Sequence, residues 1–234
     1  MAALKRKDRT ASLKHERHYY SLGYTHIIGI DEVGRGPWAG PVTAGAVCLP
    51  IARDDLSKLL KGVRDSKKMT ARQREALDQT IKDVAITWGI GSASSEEIDD
   101  LGIVPATHLA MRRALEEATK DIDFEPDALF LDDMLMPELR HTHQVSLIEG
   151  DSRTLSIAAA SVIAKVHRDE IMLEFDAEFP HYGFAEHKGY GTAKHLQALK
   201  QFGILPIHRQ YYAPIQAILR GDDSFESAAE GDEA

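Results

Sequence analysis

The chain has 234 residues, 43% of them apolar, a single cysteine and a formal net charge of −9. Such length and apolar content suit one large α/β domain with a core of its own; the lone Cys48 excludes an internal disulfide and reads as an inert core residue, and no apolar run approaches the ~20 residues a bilayer-spanning helix needs. The acidic balance argues against a nucleic-acid partner, yet it is unevenly spread: residues 1–18 hold six bases and two acids, and residues 221–234 hold six acids and no base.

Residues 1–20 carry apolar side chains too scattered to specify a core and predict a flexible basic extension; residues 221–234 predict an acidic disordered tail. Residues 26–30 (HIIGI) and 42–49 (VTAGAVCL) are β-branched runs joined through a Gly/Pro loop, and predict two antiparallel strands. The spacing over 70–83 predicts a helix capped by Thr70, 85–90 a strand, and 104–120 a further helix. Residues 127–131 (DALFL) predict a short strand running into Asp132, and 144–148 alternate as another. A long helix is predicted over 156–179, buried in its first half (SIAAASVIAKV), and two shorter helices over 183–220. Strands first, then alternation with helices, then a helical end predict an α/β fold. Its mixed sheet is flanked by helices, with the body spanning 21–220 and a C-terminal helical subdomain over 183–220.

Asp31 and Glu32 end an apolar strand and lead into Gly34, Arg35 and Gly36, a loop with little side-chain bulk that lets backbone N–H groups approach a ligand. On that motif alone, a turn-capping Asp31 and a solvated Glu32 account for the residues equally well. Asp132 and Asp151 follow two further strands, and strand-terminal acids distant in sequence can converge at one sheet edge. For Asp151 a helix N-cap is the commoner role, and the two roles can coexist. A carboxylate-only set suits Mg²⁺ or Mn²⁺, and no Cys/His array with ligand spacing points to zinc. His181, His187, His195 and His208 read mostly as satisfied core or surface residues. Tyr190, with glycines on both sides in a basic loop (HKGYGT), reads as a stacking platform for a sugar or base.

Taken together and in order, DEVGRGPWAGP, RDSKKMT, EIDDLGIVPATHLAM, EGDSRTLSIAAASVIAKVHRD and FPHYGFAEHKGYGT resemble ribonuclease HII, of the ribonuclease H-like superfamily, over about residues 26–215. The resemblance implies catalytic and metal-binding roles for Asp31, Glu32, Asp132 and Asp151. It implies substrate contacts from Gly34, Arg35, Gly36 and Tyr190, and from Ser66 and Lys67 of an Asp65-Ser66-Lys67 element. The implied enzyme uses two Mg²⁺ or Mn²⁺ ions to hydrolyse the RNA strand of RNA–DNA hybrids. It also incises 5′ of ribonucleotides embedded in duplex DNA, leaving 3′-hydroxyl and 5′-phosphate ends. A cytoplasmic monomer is expected, with no protein partner evident, since Gln216 and Leu219 lack the tandem aromatics of a sliding-clamp peptide.

Three positions depart from the family pattern. Asp133 stands where many relatives have glycine, Gly102 replaces a common asparagine, and Tyr211-Tyr212 replaces a serine-phenylalanine pair. The first leaves open whether Asp132 or Asp133 is the ligand; Pro137 and Leu139 fit the pattern when Asp132 is aligned. Three rival readings are weaker. Ribonuclease HIII carries an extra amino-terminal domain, whereas only 30 residues precede Asp31; a decayed, non-catalytic binder would not keep all four acids; and a small-molecule phosphatase leaves Tyr190 unexplained.

Overall fold

The computed structural model of the chain describes residues 10–222. In chain order its elements are α1 (Lys14–Ser21), β1 (Ile27–Val33), β2 (Val42–Cys48), α2 (Leu56–Leu59), α3 (Ala71–Val84), β3 (Thr87–Ala93), α4 (Ser95–Leu101) and α5 (Ile103–Thr119). There follow β4 (Ala128–Asp132), β5 (His143–Leu147), α6 (Gly150–Arg153), α7 (Leu155–Glu178), α8 (Phe184–His187), α9 (Ala193–Phe202) and α10 (Ala213–Leu219). The chain divides into two compact units. The first takes the described residues up to Val33 with Thr43–Ser92 and His108–Val166; the second takes Gly34–Val42, Ala93–Thr107 and the chain from His167 onward.

The first unit is built on one sheet in the order β3-β2-β1-β4-β5. β1 runs antiparallel to β2, with Ile28 opposite Cys48, and parallel to β4, which is itself parallel to β5. Every residue of β2 is buried, which is why its sequence, Thr43 apart, is apolar throughout instead of alternating. Glycines let helix backbones lie directly on the strands. A Cβ on Gly29 would stand 2.3 Å from the carbonyl carbon of Ser156, and one on Gly45 2.4 Å from the oxygen of Ala160, so α7 sits against β1 and β2. Gly91 serves α5 in the same way, 2.4 Å from the Ala110 oxygen. Thr70 closes a full capping box with Gln73 at the start of α3. Cys48 is buried, and burial pushes its thiol up to about 12, so it is the inert core residue expected.

The expected flexible extension needs correction. Residues 1–9 lie outside the described residues, but from residue 10 the chain is part of the fold. Ala11 and Leu13 join the core beneath α7, and Ala11 N–H bonds to Val63 O at 2.9 Å. Tyr19 of α1 packs edge-on against Phe130 of β4, ring centres 5.1 Å apart. Glu16 is fully buried and accepts hydrogen bonds from the N–H and hydroxyl of Ser156 in the first turn of α7. The acidic tail expected over 221–234 lies outside the described residues from 223 onward.

The second unit gathers Trp38, Met172, Phe184, Leu199 and Ile215 into its own core, under the short helices of the C-terminal part. There are three of these, where two were expected, because the single turn α8 precedes α9 and α10. α4 was not expected either; Ser94 and Glu97 form its capping box, and Gly102 ends it at φ 82°. With ψ 158° this backbone lies in a region open essentially to glycine alone, so it suits Gly102 and does not explain the asparagine expected there. Among the described residues no helix is long and apolar enough to cross a membrane.

Candidate active site

The period of two in β1 decides where its acids go. Gly29 faces α7, so Asp31, two residues on, lies on the same face; it is 5% exposed and bonded to Ser161 of α7. Alternation sends Glu32 to the opposite face of the strand. Asp132 ends β4, half-buried, and its Oδ1 accepts the Gly150 N–H at 2.9 Å. Asp151 is buried in α6, the turn before α7; the residue at the N-cap of that turn is Glu149, in a left-handed conformation, so the capping role considered for Asp151 is not the one it has.

The carboxyls act on one another. Asp31 is held well above the ordinary carboxylate range, first by burial, then by the charges of Glu32, Asp132 and Asp151, with the Ser161 bond opposing. Asp151 is pushed up to about 6 by burial and by Asp65 and Asp132, with Lys67 opposing. Asp132 is raised too, chiefly by burial, against the pull of the Gly150 N–H and Lys67. Strand ends and the α6 turn thus bring the four predicted acids into one electrostatic field. Among the described residues no three His, Cys, Asp or Glu side chains form a ready-made cage for an ion.

Asp133 is exposed, at φ 47°. A left-handed backbone favours glycine, and aspartate is among the few others that tolerate it. Asp132, not Asp133, has the backbone partner and the place in the carboxyl field.

The Asp65-Ser66-Lys67 element divides differently from the expectation. Ser66 is only 2% exposed, with its hydroxyl 2.8 Å from that of Ser161, the residue that bonds Asp31. The expectation that Ser66 touches substrate is corrected: its side chain lies inside, behind Asp31. Lys67 is exposed. Asp65 has no role of its own in the sequence reading of that element, yet its carboxyl hydrogen-bonds with that of Asp151. Burial works against ionisation of Asp65, but a 2.7 Å ion pair with Lys68 and the Lys67 N–H outweigh it and lower its pKa.

In the second unit, Gly34 is buried at φ 90°, and Arg35 and Gly36 are exposed. Arg209, fully buried, supports this loop: its guanidinium donates to Gly34 O at 2.6 Å, Arg35 O at 2.9 Å and Gly40 O at 3.0 Å. Tyr212, from the unusual tyrosine pair, donates to Arg35 O and accepts from Arg209. Arg168, also buried, donates to Pro41 O, Ala39 O and Lys188 O. Neither arginine was singled out in the sequence, where both look like solvated cations. Tyr190 is 41% exposed, and its ring stands beside the loop, 3.8 Å from where a Cβ on Gly36 would be. His187, His195 and His208 are buried, as the core reading of the histidines expected, and His181 is exposed.

A family model described as Ribonuclease HII matches residues 28–214. Ribonuclease HII of Desulfitobacterium hafniense is 48% identical over 206 residues, covering 88% of this chain and 75% of that protein. Ribonuclease HII of Acetivibrio thermocellus is 47% identical over 195 residues, covering 83% and 72%. Among solved structures, ribonuclease H2 from Pyrococcus horikoshii OT3 aligns with a TM-score of 0.67 at 22% identity, over 85% of this chain and 99% of that one. Bst-RNase HIII in complex with Mn²⁺ aligns at 0.64 and 19% identity, over 87% and 72%. These two share the fold.

Proposed function

Since the chain belongs to the ribonuclease HII family, we propose that it is an endonuclease that hydrolyses the RNA strand of RNA–DNA hybrids and cuts 5′ of ribonucleotides embedded in duplex DNA. The observation that carries this reading is the buried carboxyl of Asp31, raised in the field of Glu32, Asp132 and Asp151. Carboxylates that burial and mutual repulsion destabilise are relieved by a hard cation, and an all-oxygen donor set suits Mg²⁺ or Mn²⁺. Asp31, Glu32, Asp132 and Asp151 would hold the metal. Two such ions, when bound, supply a polarised water and charge neutralisation at the leaving oxygen, which yields 3′-hydroxyl and 5′-phosphate ends.

The chain's own residues do the rest. Asp65 holds the Asp151 carboxyl, and Ser161, backed by Ser66, orients Asp31. Exposed Lys67 contacts the phosphate backbone. Backbone groups of residues 34–36 bond the 2′-hydroxyl, the one group that separates RNA from DNA at a sugar. Tyr190 stacks on the neighbouring deoxyribose and so favours an RNA-to-DNA junction. A site built to bond a hydroxyl rejects a sugar that lacks it, because its own polar groups are then left unpaired. The same reading has the chain act as a monomer in the cytoplasm.

The purified protein, given an RNA–DNA hybrid and a DNA duplex with one ribonucleotide, is expected to cut both with Mg²⁺ or Mn²⁺ and neither with EDTA. Hydrolysis of a small phosphate ester with both nucleic acids left intact would reject the proposal.

A further inference from the structure

His187, His195 and His208 lie side by side in the second unit, and the chemistry proposed above uses none of them. The rings of His187 and His195 stack with centres 4.4 Å apart and planes 12° from parallel. Nε2 of His195 faces Nε2 of His208 at 3.0 Å. Two ring nitrogens at that distance need one N–H and one lone pair, so their outer partners reveal which nitrogen carries the hydrogen.

His195 Nδ1 stands 2.9 Å from the carbonyl oxygen of Tyr190, which can only accept. Nδ1 therefore carries the hydrogen, and Nε2 is a bare acceptor. His208 must then donate from Nε2, which leaves its Nδ1 to accept. At that Nδ1 stands the Leu205 N–H, 2.9 Å away, nearer than the Leu205 carbonyl oxygen at 3.2 Å. The direction is thus fixed at the His195 end, and the shorter of the two contacts at His208 agrees with it. His187 is fixed too: its Nε2 faces Tyr182 O at 2.7 Å and its Nδ1 accepts the Gly189 N–H at 3.2 Å.

We propose that His208 and His195 are positioning residues for sugar selection. A one-way chain of hydrogen bonds, from Leu205 N–H through His208 and His195 to the carbonyl of Tyr190, fixes the segment that presents the Tyr190 ring. The inference rests on the stacking role given to Tyr190 under the proposed function. Glycines on both sides leave that segment little stiffness of its own. It is pressed instead against its surroundings: a Cβ on Gly191 would stand 2.0 Å from the Trp38 ring, and one on Gly189 2.5 Å from Ala39 O. Tyr190 N–H bonds to His187 O at 2.8 Å, so the histidine cluster grips the residue at both its backbone groups. A proton added to His195 would set two N–H groups facing each other across the pair. Burial keeps both rings neutral, at about 3 for His195 and about 4 for His208. The charges facing the cluster divide at His187, where Lys194 opposes protonation and Glu186 and Asp176 favour it.

Nitrogen-15 spectra of the whole protein near pH ~7 should show three neutral rings, with hydrogen on Nδ1 of His195 and on Nε2 of His187 and His208. His208→Leu keeps the bulk and removes the N–H. It should lower cleavage of a single-ribonucleotide duplex relative to a long RNA–DNA hybrid by about tenfold, as loss of fine positioning does. His208→Gln, with an amide donor near the place of Nε2, should recover most of that ratio. The relay is overturned by a His195 ring that carries its hydrogen on Nε2 or is charged. It is equally overturned by a ratio that stays unchanged in His208→Leu while Tyr190→Ala alters it. If Tyr190→Ala leaves the ratio unchanged, the stacking role of Tyr190 fails, and the wild-type tautomers alone decide the relay. If His208→Leu does not fold, those tautomers and the His208→Gln ratio decide it.

Discussion

The Oδ1 atom of Asp132 accepts the backbone N–H of Gly150 at 2.9 Å, tying the end of β4 to the turn that carries Asp151. An asparagine keeps that acceptor and loses only the charge. Asp132→Asn should therefore melt within ~1 kcal/mol of wild type. Its cleavage of an RNA–DNA hybrid in Mg²⁺ should fall on the order of 10²–10³-fold, the scale of losing one preorganised charge contact. Near-normal cutting by a well-folded Asp132→Asn protein would remove Asp132 from the catalytic set.

Asp133 offers the contrasting case. Its φ of 47° costs an aspartate what a glycine avoids. Asp133→Gly should keep hybrid cleavage within about twofold and alter stability by no more than ~1 kcal/mol, since glycine's extra unfolded-state freedom offsets the relief. Steady-state rates and urea melts of this variant beside Asp132→Asn would show which of the two adjacent acids the reaction uses.

The carboxyl cluster should make the metal's effect on stability depend on pH. Asp151 sits at about 6 instead of 3.8, raised first by burial, and Asp31 and Asp132 are raised as well. A raised acid lends its stability in full below the unfolded value, near 3.8 for Asp151, and that stability is lost as the pH climbs through about 6. Metal-free protein is thus expected to weaken over that window. A cation that favours the ionised form compensates, so the rise in Tm on adding Mg²⁺ should be larger near pH ~7.5 than near pH ~5. Equal rises at both would count against these carboxyls as the binding groups.

Much of the fold is legible because long faces are buried at regular periods. β1, β2, β4, β5, α3, α5 and α7 all fall within three residues of the bounds read from apolar spacing. α1 escaped that reading because KHERHYYS is polar, and what it buries includes the carboxylate of Glu16. The four acids were legible because each stands at or just after a strand. Asp65 beside Asp151 and Ser66 behind Asp31 depend on how the turn at Ser66–Lys68 folds back, which no periodicity encodes. Arg168 and Arg209 look like surface cations until the carbonyls they hold at Pro41 and Gly40, more than a hundred residues away, are known.

Glu16 gives a second pH dependence, of stability alone. Burial raises its carboxyl from 4.5 to about 7, against the opposing bonds from Ser156. Its contribution is whole below about 4.5 and lost as pH rises through about 7, a change of about 3 kcal/mol by linkage. Glu16→Gln keeps an oxygen to accept from Ser156 and cannot ionise. It should match wild type near pH ~4.5 and exceed it by up to about 3 kcal/mol near pH ~8, as urea melts at the two values would show. A variant less stable than wild type at the higher pH would mean that the buried group is ionised there and stabilising.

Arg209 joins the stability of the second unit to the shape of the loop at residues 34–36, proposed above to bond the 2′-hydroxyl. Its guanidinium makes bonds in several directions at once: Nε to Gly40 O, Nη1 to Arg35 O and Tyr212, and Nη2 to Gly34 O. A lysine has one compact donor group and cannot span those carbonyls. Arg209→Lys should leave buried acceptors unsatisfied and cost about 2–4 kcal/mol in a urea melt. Below its melting temperature the protein should still bind Mg²⁺, because the carboxyls belong to the other unit, while the loop at residues 34–36 loses its fixed form. The expected signature is a fall in the ratio of RNA–DNA hybrid cleavage to DNA duplex cleavage, with the Mg²⁺ dependence of the remaining activity unchanged. Retention of that ratio despite the loss of stability would show that Arg209 is structural only, and that sugar discrimination does not run through the carbonyls it holds.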